Sequence, residues 1–469
     1  MKNQKKMRRK NKIVILLLTL VLSWNGFSQS KILTYNEFLG YVKKYHPLVK
    51  QANLNISEAQ AQLMQARGAF DPKIEIDFDK KQFKDKNYYS LFNSSFKIPT
   101  WYGIEIKGAF DNNEGIYVNS ENTVPNSGLT SVGIAVPLGQ SLFINQRMAD
   151  IRKAKLAQTL NTAQRDLEAL EVIHEASLRY FDWKRNHDEV TLYQEYLKNA
   201  QIRFEGVVKL IEQGDKPAID SVEAGIAIRN RKLNLEDSQL KLTKARLVLS
   251  NYIWTVDAIP LEIAEDLMPE VDLKNSIEDL LIQNKLRQFE TQNHPKIKLW
   301  NTKIDMLEID RKLKANAILP KLDLSYNYLS EPNYFTQYRL QDYKIGVNFS
   351  MPLFLRKERA SVKLAQLKIQ DSEYSLQFER LQLQNKIKAQ EQEIASLKKQ
   401  IDLTARLVND YDMMLKAEDR LFSIGESSLF LINTRENALV SAKISNIVVE
   451  NRFFSAYIGY YQSLGNPDL

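Results

Sequence analysis

Pro72-Lys73-Ile74-Glu75-Ile76-Asp77-Phe78 alternates apolar and charged side chains, and 248 residues later the pattern returns as Pro320-Lys321-Leu322-Asp323-Leu324-Ser325-Tyr326. A period of two places the apolar and polar side chains on opposite faces of an extended strand. Working outward, a His-Pro pair lies ahead of each segment, His46-Pro47 and His294-Pro295, with 25 residues from Pro to Pro in both cases. A second pair of short segments follows, Val132-Gly133-Ile134-Ala135-Val136-Pro137 and Ile345-Gly346-Val347-Asn348-Phe349. Then come two long polar-apolar stretches, each broken once by a glycine, Gly214 and Gly425, at an offset of 211. Repetition on this scale marks two copies of one plan. Each copy reads as helix, strands, long helix, turn and returning helix.

The long stretches are helical on physical grounds. Between Pro352 and Gly425 lie 72 residues without Gly or Pro, rich in Leu, Lys, Gln, Glu and Ala, the favourable helix formers. At about 1.5 Å per residue this makes roughly 110 Å of helix. Ile387, Ile394, Ile401, Val408, Leu415 and Phe422 recur at steps of seven, as a packed seam requires. The companion positions Gln390, Leu397, Thr404, Tyr411 and Glu418 are mixed, which suits a helix packed sideways on two neighbours better than a two-stranded coil. Leu156, Leu160, Ala163, Leu167 and Leu170 show the same habit in the first half.

Aromatics gather around the short segments. Eight fall between Tyr88 and Tyr117 and eight between Tyr326 and Phe354, about a quarter of each stretch against 10% for the chain. Strands about ten residues long with aromatics near their ends match what a transmembrane β-barrel presents to lipid. One chain holds too few strands to close such a barrel, so this reading requires an oligomer.

Charge and composition narrow the function classes. The chain carries 65 Lys and Arg against 57 Asp and Glu, a net +8. Residues 1–28 hold seven of the bases and no acid, so the remainder is near +1, which gives no support for nucleic-acid binding. The basic run to Lys12, the apolar Ile13 to Trp24 and the small polar stretch after it follow the order of a secretory signal peptide, with cleavage expected after Ser28. No later run of 18 apolar residues exists, so the mature chain would enter a membrane only as β-structure. With no cysteine, disulfides, iron–sulfur ligation, thiol catalysis and lipidation at a processed N-terminal Cys are excluded. Four histidines, no phosphate-binding glycine loop and no nucleophile elbow make an enzyme, a cofactor or a metal centre a poor expectation.

In their order, these features resemble the TolC-like outer membrane efflux proteins, over nearly the whole chain from Leu33 onward. The carriers are Thr34 to Glu37 in capping-box spacing, the two His-Pro sites where the family usually has Asn-Pro, the paired strand regions, the glycine turns, and the final segment Gly425-Glu426-Ser427-Ser428-Leu429-Phe430 through Gln462-Ser463-Leu464-Gly465. The resemblance implies a mainly α fold with a β-barrel portion. Long antiparallel hairpins would form a trimeric α-barrel continuous with a shared transmembrane barrel, usually of twelve strands, four from each protomer. It implies an outer-membrane exit duct of a tripartite efflux or type I secretion system in a Gram-negative cell. The partners would be a periplasmic adaptor, an inner-membrane pump and outer-membrane lipid, with no nucleic acid.

The expected boundaries are a signal peptide over 1–28 and repeats over 29–271 and 272–469. The first repeat has a helix over 34–70, strands over 72–138 and a hairpin over 140–256 with its tip near 206–220. The second has a helix over 276–316, strands over 320–352 and a hairpin over 355–464 with its tip near 422–434.

At the tip, the family's Asp six residues after each glycine is matched by Asp220 but replaced by Leu431. The next acidic position is Thr434, and the basic residue expected two after the second glycine is Ser427. Asp220 reads equally as a gating residue of the periplasmic tip and as a helix N-cap or first-turn acid. Arg435 and Glu436 either supply a different tip network or are solvated. His46, Pro47, His294 and Pro295 read as helix-start geometry.

The first strand region spans 65 residues from Pro72 to Pro137, against 32 from Pro320 to Pro352. An enlarged extracellular or loop-packed hairpin around Trp101–Lys107 and Asp111–Ser127 is the preferred reading; two further spanning strands would also keep the up-down parity. The competing functions are a periplasmic adaptor, expected to have one helical hairpin rather than two, and a coiled-coil rod, which needs no amphipathic aromatic strands.

Overall fold

The computed structural model describes residues 32–277, 291–334, 337 and 339–466. The expected signal peptide lies outside the described residues. The chain divides into two compact units, each drawing on both sequence repeats. One takes the chain up to Val42 with Ala176–Ile277 and Ile401–Asn451; the other takes Lys43–Glu175, Glu278–Gln400 and the chain from Arg452.

In the first unit, β1 (Ile32–Leu33) leads into α1 (Tyr35–Tyr45). Thr34 and Glu37 cap each other: the Thr34 N–H donates to Glu37 Oε2 at 3.1 Å and the Glu37 N–H to Thr34 Oγ1 at 3.3 Å. The helix expected over 34–70 is in fact two, α1 and α2 (Pro47–Gly68), because Pro47 lacks the N–H that would continue the first. The strand β1 pairs in parallel with β6 (Met268–Pro269), bringing Ile32 and Leu33 to the connector between the repeats. A buried aromatic cluster of Tyr35, Phe38, Tyr180, Phe181 and Trp183 secures this clasp. Its hydroxyls are satisfied, Tyr35 donating to Ser177 Oγ at 2.7 Å and Tyr180 to the Leu33 carbonyl at 2.6 Å. Burial pushes both phenol pKa values well above their usual range.

The second unit holds a six-stranded antiparallel sheet of β2 (Lys73–Phe83), β3 (Lys86–Pro99), β4 (Glu105–Glu114), β5 (Leu129–Pro137), β7 (Lys321–Ser330) and β8 (Tyr343–Ser350), in that spatial order. The preferred reading of residues 72–138 is therefore corrected. The region supplies four strands of one sheet, and the alternation from Trp101 becomes strand only at Glu105. Residues Trp101 to Gly103 form a turn beside the helices. The Asn145 side chain donates to the Trp101 carbonyl at 3.0 Å, and Arg147 pairs with Glu105 at 2.7 Å. The sheet of this chain has six strands, where the resemblance implied four.

Register divides the sheet into two chemistries. Paired positions on one face include Ile74 with Phe96, Phe78 with Phe92, Ile106 with Ile134, Val132 with Tyr328, Leu324 with Val347, and Tyr326 with Ile345. The other face pairs Asp77 with Asn93, Lys97 with Lys107, Asp323 with Asn348, and Asn327 with Lys344, and carries the Glu75–Lys97 ion pair. The apolar face is solvent-exposed in the single chain, with Ile74, Ile345, Val347 and Phe349 among its most open residues.

The helices continue as α3 (Gln146–Glu212), α4 (Ile219–Ser250), α5 (Pro295–Asn316), α6 (Arg356–Ser423) and α7 (Leu429–Leu464). Of the helix expected over 276–316, helical residues are observed at 273–277 and again from Pro295 to Asn316; residues 278–290 lie outside the described set. The seven-step seam of α6 faces inward, Ile387 and Ile401 being buried, and so does its companion Leu397. Among the described residues no helix is long and apolar enough to cross a membrane.

Candidate functional site

The two glycine turns are built alike. After α3, the Gly214 N–H donates to the Ile211 carbonyl and Asp215 to Leu210; after α6, Gly425 donates to Phe422 and Glu426 to Leu421. This paired bonding ends a helix through a left-handed residue, and φ is +84° at Gly214 and +83° at Gly425. A Cβ at either position would meet nothing within 4 Å, so conformation rather than space demands glycine here.

Above the turns, Val207, Ala224 and Leu429 form a small buried cluster sealed by Phe204, Ile211 and Phe422. A buried ionic network follows it. Glu436 on α7 is 1% exposed and accepts from Arg203 of α3 and Arg231 of α4, both at 2.6 Å. Arg231, itself buried, also donates to the Tyr196 carbonyl at 3.2 Å. Arg203 lies 3.7 Å from Asp419, whose pKa is raised by burial despite that guanidinium. Beside this, Glu418 accepts from Ser427 Oγ at 2.5 Å and lies 3.6 Å from Arg435. Glu436 thus ties three helices from both hairpins together.

The structure places the remaining tip residues outside this network. Asp220 is in the first turn of α4, whose N-cap is Ala218, so it is a first-turn acid and not the cap. Leu431 is partly exposed, and Thr434 spends its hydroxyl on the Phe430 carbonyl one turn back. Sequence reasoning named Glu436 and Arg435 but missed Arg203, Arg231 and Asp419. One signal was present: Ala224, Arg231 and Ser238 fall at steps of seven on the buried side of α4, so Arg231 occupies a core position.

The His-Pro sites are helix N-caps. His46 Nδ1 accepts from the Leu48 N–H at 3.3 Å and His294 Nδ1 from the Lys296 N–H at 3.1 Å, each with proline at the first helical position. The imidazole nitrogen does here what an asparagine oxygen does in Asn-Pro. Burial, then Lys296 and Lys386, holds the His294 pKa down at about 4, keeping that acceptor free of a proton. On α3, Glu171, His174 and Glu175 bring ligand-type atoms within 4.8 Å of one another, a grouping not singled out from sequence; Glu171 is bonded to Gln462 at 2.5 Å.

The sequence pattern of the family described as "Outer membrane efflux protein" matches residues 41–253 and 286–466. The chain belongs to the outer membrane efflux protein family. It is a transport protein rather than an enzyme. Solved structures share this efflux fold at low identity. The Campylobacter jejuni CmeC outer membrane channel superposes with a TM-score of 0.63 at 14% identity, covering 94% of this chain and 87% of that one. The open state of the Neisseria gonorrhoeae MtrE outer membrane channel gives 0.64 at 13%, covering 92% and 88%. The Vibrio cholerae outer membrane protein VceC gives 0.64 at 12%, covering 92% and 96%. Comparison with curated protein sequences gives no match. At the tip of this efflux protein a carboxylate is buried between two arginines.

Proposed function

We propose that the protein is the outer-membrane exit duct of a tripartite efflux or type I secretion system, assembled as a homotrimer. An inner-membrane pump would feed it through a periplasmic adaptor. The observation that carries this reading is the division of the sheet into an apolar face for lipid and a polar face for a water-filled lumen. Assembly is supported by α4, where Ile219, Ile226, Leu233, Leu240 and Leu247 recur at steps of seven and are 48–69% exposed in the single chain. Such a stripe packs against a helix of a neighbouring copy.

Export by the signal peptide over 1–28 without lipidation delivers the chain, and trimeric β-closure then holds it in the membrane. The hairpin tips form the periplasmic gate, with the Glu436 network clamping α3, α4 and α7 together when it is shut. The pump supplies the energy and selects the cargo. Purified protein in a planar bilayer tests this: stable conductance from a heat-sensitive trimer is expected, whereas a monomer soluble without detergent and silent in the bilayer refutes it. Loss of the gene then raises sensitivity to dyes, detergents and antibiotics if the cargo is small.

A further inference from the structure

The sheet ends in two unpaired edges. Among the described residues β2 bonds only to β3 and β8 only to β7. In hydrocarbon an open edge is untenable, because its N–H and C=O groups find no water. No proline interrupts β2 or β8, the one register shift of β2 lies at Lys81–Gln82, near the turn end, and the charges Lys73, Glu75, Asp77 and Asp79 fall on the polar face, so they leave the apolar face free to continue across the edge.

Direction is decisive. The strand β2 leaves the end of the sheet where the helices attach, following α2, while β8 returns to it ahead of α6. Placed side by side by a rotation axis, β8 of one copy and β2 of the next run antiparallel, with the apolar face continuous across the seam. The strands at the β2 end of the sheet also have spanning length, 11 residues in β2 and 14 in β3, against the roughly 9–11 that a tilted strand needs.

From these edges we infer that each protomer gives six strands, not four, to the shared barrel, and that three copies close it at eighteen strands through β8–β2 seams. The inference rests on the trimer proposed above. With strands about 4.8 Å apart and tilted by about 40°, twelve strands close at a backbone diameter of about 24 Å and eighteen at about 36 Å. The cross-section enclosed by the backbone roughly doubles, so a barrel of this size admits bulkier cargo than a twelve-stranded one.

The absence of native cysteine makes the seam directly testable. Asp77→Cys in β2 is combined in turn with Lys344→Cys, Asn348→Cys or Ser350→Cys in β8, all on the polar face. A second series replaces Asp77→Cys with Asp111→Cys in β4. After oxidation of the full-length protein in detergent, the β2–β8 series is expected to give covalent dimers and trimers in one register, and the β4–β8 series none. Cross-linking of β4 to β8 instead means a twelve-stranded barrel with β2 and β3 set aside, and overturns the inference. So does a trimer in which neither series cross-links. The mass of the cysteine-free parent separates the two claims. Three copies with no β2–β8 seam refutes only the strand count, whereas two copies refutes the trimer itself.

Discussion

Substituting Glu436 by alanine removes the only carboxylate among the described residues that touches both Arg203 and Arg231 at hydrogen-bond distance. The arginine side chains are 16% and 8% exposed, so each is left with a charge that water reaches poorly. Breaking a buried ion pair by deleting one partner costs about 3–5 kcal/mol. At about 1.36 kcal/mol per tenfold change, local opening at the tip rises by about 100- to 5,000-fold. Hydrogen exchange of the α7 amides around Leu429 to Leu439 reads this directly, and bilayer conductance reads its effect on the pore. Glu436→Gln, which keeps an acceptor but loses the charge, falls between wild type and alanine. Replacing all three partners with apolar residues of similar volume (R203M, R231M, E436L) restores much of the protection, since no charge is then stranded. If Glu436→Ala leaves both exchange and conductance unchanged, the network does not clamp the tip.

Other consequences follow from single positions. The His294 pKa is about 4 in the fold and about 6.5 in an unfolded chain, so the unfolded state takes up the proton first. Stability is fully present above about pH 6.5 and falls by about 3 kcal/mol at most as pH drops toward 4. His294→Asn keeps the cap without titrating, and thermal unfolding against pH should flatten, with a residual slope from His174, whose pKa burial also lowers. Gly214→Ala and Gly425→Ala should each cost about 1–2 kcal/mol through the left-handed backbone alone, seen as a lower urea midpoint with the fold intact. Val347→Arg, on the apolar face near the middle of β8, should cost about 2–4 kcal/mol and abolish the heat-modifiable assembled form. Asn348→Arg, one residue on and on the polar face, should assemble normally.

Several elements were legible in the sequence because local chemistry suffices to specify them. The glycine turns announced themselves as the breaks in otherwise uninterrupted helix-forming stretches, and Thr34 with Glu37 carries its cap within four residues. The strand β3 was not legible. Its turn, Lys84-Asp85, adopts left-handed backbone at both positions without a glycine, and Ser90 and Ser94 dilute the apolar face on which Phe92 and Phe96 lie. The helix expected over 34–70 ran through His46-Pro47, although that pair read as helix-start geometry, because the sequence on either side remains helix-forming. Only the missing N–H of Pro47 and the imidazole cap decide the break.

By itself the sequence determined the repeat, the helices, the alternating strands and hence the efflux family, because period and turn chemistry are local and recur at fixed offsets. Tertiary structure alone decided that the sheet has six strands and that Glu436 is buried between two arginines and not a solvated acid. Strand pairing depends on edges brought together from distant segments. A carboxylate's burial depends on Arg203 and Arg231, which lie 233 and 205 residues away along the chain.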